Sequence, residues 1–201
     1  QPELAAPLYE EALKFKRAKL GHDDPSTLTT LNNLAGVYWR TNQLDESIAL
    51  YERALELRTS RLGPGNHETL ETMNSLAGAY RAAKRLDKAV PLYEQTLKLR
   101  SDTLGQDHLT TLVTMNNLAF ALQRSRRLDK AIPLFEEALK LMRATLGPDH
   151  SDTLTALKNL AEAHRQAKQP DKSVPLSEEA VKLNRAKFGP DHLSTLVAMN
   201  N

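Results

Sequence analysis

Three histidines, His108, His150 and His192, stand 42 residues apart, and imidazole is the side chain most often recruited for metal binding or proton transfer. The interval argues against a shared metal. In a helical array these positions lie two helix packings apart, each about 8–10 Å, whereas zinc holds its ligands at about 2 Å. A turn or helix-capping role is expected for them instead. Other catalytic signatures are absent from the sequence: no G-x-x-x-x-G-K-[ST] phosphate loop, no G-x-G-x-x-G, no H-E-x-x-H and no G-x-S-x-G. Every Ser, His and carboxylate that could form a pair also has a structural place in the repeat. The expectation is a non-enzyme with no catalytic residues, no metal and no cofactor.

The remaining chemistry is hydrogen bonding and charge. Asn32, Asn74, Asn116 and Lys158 recur at the same interval, followed by Asn33, Ser75, Asn117 and Asn159. A primary amide offers donors and an acceptor, so it can pair with a peptide backbone of any sequence. One turn further come Gly36, Gly78, Phe120 and Glu162, then Trp39, Arg81, Gln123 and Arg165, beside Arg40, Ala82, Arg124 and Gln166. Arg40, Arg81, Arg124, Lys158 and Arg165 outnumber Glu71 and Glu162, and guanidinium groups can clamp carboxylates with two parallel bonds. The competing reading gives the amides to neighbouring repeats and turns, and the arginines to a solvated face. Phe120 is either a ligand anchor or packed on a neighbouring helix; for Trp39 packing is the preferred reading. The differences among Gly36, Gly78, Phe120 and Glu162 have little structural reason, which would make them the seat of ligand selectivity.

These positions recur because the whole chain does. Pro7-Leu8-Tyr9-Glu10-Glu11-Ala12-Leu13 returns as residues 49–55, 91–97, 133–139 and 175–181, with no insertion or deletion. A fixed period of roughly 20–50 residues signals a stacked repeat array. Within one period, Leu28, Leu31, Leu34, Ala35 and Tyr38 form one amphipathic helical stripe and Leu44, Ile48, Tyr51 and Leu55 a second. Thr41-Asn42-Gln43 breaks the first helix, and Leu62-Gly63-Pro64 ends the second. Each repeat is therefore an antiparallel helical hairpin of a helix A and a helix B.

The expected A helices are 25–41, 67–83, 109–125, 151–167 and a partial 193–201. The expected B helices are 3–20, 44–62, 86–104, 128–146 and 170–188. Repeats then span 25–63, 67–105, 109–147 and 151–189 of a single array over 1–201, in phase with a segment cut from a longer one. Ser26 or Thr27 is expected to cap the first full A helix. Asp87, Asp129 and Asp171 are expected to cap B helices, which would put Pro91, Pro133 and Pro175 in the first turn, where proline is tolerated. Ala35, Ala77, Ala119 and Ala161 should let helix axes approach to about 8 Å. His164, in the place of Tyr38 and Tyr80, reads as a partly buried spacer. With Ser177 it implies a looser core in the last full repeat.

Composition is consistent with this organisation. The 201 residues carry 27 Lys and Arg against 25 Asp and Glu, a net +2, too balanced to argue for nucleic acid or a membrane surface. There is no cysteine, so disulfides and thiolate metal sites are excluded. No apolar run approaches the roughly 18 residues of a membrane span.

The set Leu34-Ala35, Tyr38, Ser47, Tyr51 and Ala54 resembles the tetratricopeptide repeat. That family's usual unit is about 34 residues, and the extra eight here amount to about two helical turns. Leu31-Asn32-Asn33-Leu34-Ala35, with Leu146-Gly147-Pro148-Asp149-His150, is similar to the kinesin light chain type. The resemblance covers the whole chain. It implies an all-α, right-handed α-α superhelix whose A helices line a concave groove holding peptide segments of other proteins. It assigns peptide contact to Asn32, Asn33, Arg40, Asn74, Arg81, Asn116, Asn117, Phe120, Arg124, Lys158, Asn159 and Arg165. The expected partner is an acidic protein or peptide segment, with a cytoplasmic setting and no nucleic acid or membrane. A structural spacer, or a module self-associating through its end repeats within a larger protein, is the alternative.

Overall fold

The computed structural model of the chain describes residues 2–193 and 195, with side chains from residue 5 onward. Among the described residues there are nine α-helices and no strand. The B helices are α1 (Pro2–Leu20), α3 (Leu44–Leu62), α5 (Leu86–Leu104), α7 (Leu128–Leu146) and α9 (Pro170–Phe188). The A helices are α2 (Pro25–Arg40), α4 (His67–Ala82), α6 (Leu109–Arg124) and α8 (Ser151–Gln166). The partial A helix expected at 193–201 lies, but for Leu193 and Thr195, outside the described residues. The chain gathers into two compact units, Gln1–Thr103 and Leu104–Asn201.

Helix starts differ from the sequence reading. Ser26 and Thr27 do not cap α2; Asp24 does, its carboxylate accepting from the Ser26 N–H at 2.9 Å with Pro25 as the first helical residue. Asn66 does the same for α4 through Glu68 N–H at 2.9 Å. His108 and His150 cap α6 and α8, their Nδ1 atoms accepting from the N–H groups of Thr110 and Asp152 at 3.3 and 3.2 Å. A cap satisfies one of the first four unpaired N–H groups of a helix. Two of the three histidines thus do the work that Asp24 and Asn66 do in sister repeats.

The B helices need a second correction. Asp87, Asp129 and Asp171 are not caps but lie in the first turn, and Pro91, Pro133 and Pro175 sit inside the helix. Each proline removes the bond to the carbonyl four residues back, that of the aspartate. All three prolines and all three aspartates are exposed, so water can hydrate the freed carbonyls and soften an interior cost of about 3 kcal/mol. The aspartates still place negative charge at the positive end of the helix dipole.

The hairpin turns are uniform. Asn42 N–H bonds to Trp39 O at 3.1 Å and Gln43 N–H to Tyr38 O at 2.8 Å, a Schellman closure repeated at Lys84, Arg126 and Lys168. All four residues are left-handed, with φ of 61°, 60°, 62° and 57°. Only Asn42 is a residue type that tolerates this conformation well.

Inside each unit the small residues set the helix spacing. Ala35, Ala77 and Ala119 are 0% exposed and Ala161 5%. The Ser47 hydroxyl donates to the Ala35 carbonyl at 2.8 Å, tying α3 to α2. In the first unit Leu13, Leu31, Leu34 and Ala54 form one cluster, and Ala35, Ile48, Tyr51, Leu76, Ala79 and Ala89 a second. In the second unit Leu112, Phe135, Ala138, Met142 and Leu157 are buried. One buried register is polar at Arg58, Arg100 and Asn184 and apolar at Met142. Arg58, 3% exposed, donates to Thr72 Oγ1 at 2.7 Å and to Glu68 O at 2.9 Å. Two periods on, Met142 and Ala156 stand at the places of Arg58 and Thr72, so donor and acceptor disappear together. Burial holds the Arg58 guanidinium below its ordinary range, with Glu68 and Glu71 opposing the shift.

The left-handed turns yield a stability test. Lys84→Asn should raise stability by about 0.5–1 kcal/mol, because Asn occupies this conformation at lower cost. Lys84→Val, β-branched, should lower it by more than that. Urea midpoints of the three proteins, at unchanged m-value, measure both.

Candidate functional site

The A-helix positions singled out in the sequence sort by what each already holds. In the first unit Asn32 Oδ1 accepts from the Thr72 hydroxyl at 3.2 Å, linking α2 to α4. In the second, Asn116 is 8% exposed and its Oδ1 accepts from Asn159 Nδ2 at 3.3 Å, linking α6 to α8. One face of the amide ladder is therefore spent on neighbouring helices. Asn33 is exposed and Asn117 half-buried.

The cations sort in the same way. Arg165 forms a two-pronged pair with Glu162 through Nε and Nη2 at 2.6 and 2.7 Å, and Gln166 Nε2 also donates to Glu162 at 2.7 Å. The bonds from Arg165 hold the Glu162 carboxyl below the usual carboxylate range, against a smaller upward push from burial. Arg81 hydrogen-bonds to the Tyr93 hydroxyl, and Arg40 lies in the field of Tyr51. Arg124 is exposed and Lys158 half-buried, with no ion-pair partner for either among the described residues. The expected excess of five cations over two anions is thus smaller in effect than the count implies.

This helical-hairpin array matches the family model for the tetratricopeptide repeat over residues 1–60, 26–102, 68–141 and 109–186. The chain belongs to the tetratricopeptide repeat family. A Podosopora anserina candidate kinesin light chain with nearly identical TPR-like repeats is 26% identical, with 94% of this chain and 89% of that one aligned at a TM-score of 0.81. BtubC (BKLC) from P. vanneervenii is 22% identical over 94% of this chain and 75% of its own, also at 0.81. YrrB, described as a TPR protein with an unusual peptide-binding site, is 18% identical over 100% of this chain and 84% of its own, at 0.62. No curated protein shows significant similarity to the chain. The fold class is the all-α tetratricopeptide superhelix, and membership in the family makes the chain a protein-interaction scaffold. No helix among the described residues is long and apolar enough to cross a membrane.

Within the tetratricopeptide hairpins, the variable A-helix register has a structural cause that the sequence reading missed. A Cβ built on Gly36 would stand 3.3 Å from the Tyr51 hydroxyl, and one on Gly78 3.3 Å from the Tyr93 hydroxyl. The two tyrosines are the same register of helix B. In the second unit that register becomes Phe135 and then Ser177, and the facing A-helix residue becomes Phe120 and then Glu162. Glycine stands where a tyrosine hydroxyl must be housed, and a side chain appears where the hydroxyl is lost. The signal was present in the chain as paired change 15 residues apart. Trp39 belongs to the same arrangement: its Cη2 lies 2.8 Å from the Gly78 Cβ position, so the indole lies on the bare backbone of α4.

His164 departs from its reading as a partly buried spacer. It is 2% exposed, shares a 2.8 Å hydrogen bond with Gln169 through Nδ1, and places Nε2 3.7 Å from Glu136. It replaces a tyrosine that elsewhere reaches the equivalent glutamate: Tyr38 donates to Glu10, and Tyr80 to Glu52. In α9 only Ser173, Ala180 and Asn184 are buried, while α8 of the same repeat buries Leu154, Leu157, Leu160 and His164. Sequence reasoning also missed two equivalent clefts on the B-helix side of the first unit. One of about 540 Å³ is walled by Leu13, Leu34, Tyr38 and Leu50, and one of about 550 Å³ by Leu55, Leu76, Tyr80 and Leu92.

Gly78→Ala should force Trp39 off its seat. A helix-propensity gain of about 1 kcal/mol is then outweighed by an overpacking cost of about 1–3 kcal/mol. The readout is intrinsic fluorescence: Trp39 is the single Trp, and its emission should move to longer wavelength as it becomes wetter. An unchanged emission maximum would contradict the packing.

The tyrosines generate a pH prediction. The hydrogen bond to Glu10 raises Tyr38 to about 12, and burial, assisted by Glu52, raises Tyr80 to about 12. Burial also raises Tyr51 and Tyr93. A folded-state value above the ordinary 10 favours the protonated, folded form. That stabilisation is complete below pH 10 and is lost as pH rises through about 12. Absorbance at 295 nm should show a late ionisation step coincident with loss of helical circular dichroism. Tyr80→Phe should remove amplitude from the late step, and removal from a step near pH 10 would refute the assignment.

Proposed function

We propose that the A-helix faces hold an extended acidic peptide segment. The observation carrying this reading is that Asn33, Asn117, Arg124 and Lys158 make no side-chain hydrogen bond or ion pair among the described residues, although most of their polar neighbours do. An amide and cations that satisfy nothing internally are those a ligand can use without breaking a contact. The family's scaffold role and the peptide-binding description of YrrB point the same way. The face of the second unit, with Asn117, Arg124 and Lys158 on α6 and α8, has the strongest claim: its free cations favour carboxylates. Asn32, Asn74, Asn116 and Asn159 then act on the ligand while also bracing helices, and Phe120 offers an apolar surface beside them. No enzymatic role is proposed.

A double variant separates binding from folding. Asn117→Ala with Lys158→Ala should leave the thermal midpoint nearly unchanged and weaken a Glu- and Asp-rich peptide at least about tenfold, since each lost charged hydrogen bond removes about 1.5–3 kcal/mol. Asn116→Ala should instead lower stability, because it strips a buried partner from Asn159. Calorimetric titration reads the first and thermal unfolding the second. Equal affinity of wild type and the double variant would remove the A-helix face of the second unit from consideration.

A further inference from the structure

The two B-helix clefts of the first unit share a floor and differ at the rim. Leu13, Leu34, Tyr38 and Leu50 in one stand a single period from Leu55, Leu76, Tyr80 and Leu92 in the other. Each tyrosine donates to a glutamate, Glu10 or Glu52, that also lines its cleft. The rims then carry opposite charge. Lys14 and Arg17 join Glu10 in the first cleft, whereas Glu56, Asp87 and Lys88 join Glu52 in the second. One register makes much of the reversal: it is Lys14, Lys98, Lys140 and Lys182 in four periods, and Glu56 alone breaks the series. Glu11, Glu137 and Glu179 stand three residues before a lysine of that series, whereas Arg53 precedes Glu56 and bonds to its Oε2 at 2.6 Å. The exchange keeps an ion pair but turns its negative end to the cleft, since Glu56 lines it and Arg53 does not. It brings the helix nothing, because an acid ahead of a base is the better order along a helix. Both partners are also exposed, where such pairs contribute little.

We infer that the cleft of Leu55, Leu76 and Leu92 receives a basic segment of another protein, which seats a large apolar side chain on the leucines and sets a Lys or Arg against the rim. That rim is rich in acceptors and only partly used. Asp87 is exposed and has no ion-pair partner among the described residues, whereas its sister Asp45 is taken by Arg85 at 2.6 Å. Pro91 frees the Asp87 carbonyl from its helical bond, while Ala49, at the sister position, retains its N–H. Glu56 spends one oxygen on Arg53, and Glu52 one on Tyr80. Lys88 is the opposing cation of the lining, and its Nζ lies over the Tyr80 ring at 5.3 Å from the centroid. Lys and Arg side chains offer donors and no acceptor, so they suit this rim and an acidic segment does not. The space of about 550 Å³ and its leucine walls favour burial of an aliphatic or aromatic side chain. None of these lining residues belongs to the set assigned to the acidic peptide, so the two surfaces select opposite charge.

The probes are a short peptide of leucines flanked by lysines, blocked at both ends, and two relatives carrying glutamate for each lysine or alanine for each leucine. Titrated against the intact protein by fluorescence anisotropy at low ionic strength, the Lys–Leu peptide should bind at least about tenfold more tightly than either relative. Arg53→Glu with Glu56→Lys restores the order of the sister repeats at two exposed positions. It should leave the thermal midpoint unchanged and weaken the Lys–Leu peptide at least about tenfold. Asp87→Asn should weaken it in the same direction. Asn117→Ala with Lys158→Ala should leave it unaffected, which separates this cleft from the A-helix face. Equal affinity of wild type and the exchanged variant overturns the inference. Equal affinity for the alanine relative also overturns it, since charge alone then explains binding. A concentration-dependent mass in sedimentation that the exchange abolishes gives the cleft to a second copy and overturns it too, as does failure of the Lys–Leu peptide to bind.

Discussion

Everything in this protein depends on how closely an A helix can approach its partner B helix. At Ala35, Ala77, Ala119 and Ala161 there is only a methyl group between the two backbones, which permits the short interaxial distance of tightly packed helices. Once that distance is fixed, the next residues have little freedom. The Tyr51 and Tyr93 side chains are buried by burying helices, and their hydroxyls must end against α2 and α4. Only glycine leaves room there. A larger residue at Ala35 or Ala77 would separate the helices and disturb the neighbouring tyrosine site, and at Ala77 it would also bear on the Trp39 seat at Gly78.

The same constraint explains why sister positions change in pairs. Tyr51 faces Gly36 and Tyr93 faces Gly78, while Phe135 comes with Phe120 and Ser177 with Glu162. Arg58 comes with Thr72, and Met142 with Ala156. In each case volume or hydrogen-bonding capacity removed from a B helix is compensated on an A helix. Gln123 is the exception, since its register lost the tyrosine hydroxyl that Arg81 uses and gained no replacement.

Most of the fold could be read from the period and from the two hydrophobic stripes, because both are local consequences of helical geometry. The B-helix bounds from Leu44 to Leu62 and from Leu86 to Leu104 follow directly from them. The helix starts could not be read so well. The distinction between Asp24 as a cap and Ser26 as one depends on where the backbone first turns helical, and Pro25 is compatible with either. The prolines of the B helices misled for a related reason: their cost depends on whether the carbonyl four residues back can reach water, which is a property of the packed surface. For the site, residue types were legible but their commitments were not. Asn116 and Asn117 are adjacent and identical, yet one is buried against Asn159 and the other is half-buried with its amide uncommitted. Arg165 and Arg124 looked alike until Glu162 was seen to occupy only the first.

That distinction changes how a binding surface should be located on a repeat scaffold. Counting charge along the A helices treats every arginine as available, but an arginine already clamped by Glu162 gives a ligand carboxylate little that it does not first have to take away. Breaking such a pair costs about what the new bond returns, so its net contribution to affinity is small. Affinity must come from groups whose bonding capacity the fold leaves unused, and selectivity from where those groups lie relative to each other. In the second unit Asn117, Gln123 and Arg124 span about two turns of α6, with Lys158 on α8 and Arg126 in the hairpin turn. One set of positions therefore carries both kinds of group: where the internal bonds close they build the stack, and where a single substitution such as Tyr to Phe leaves one open, its bonding capacity goes unused by the fold.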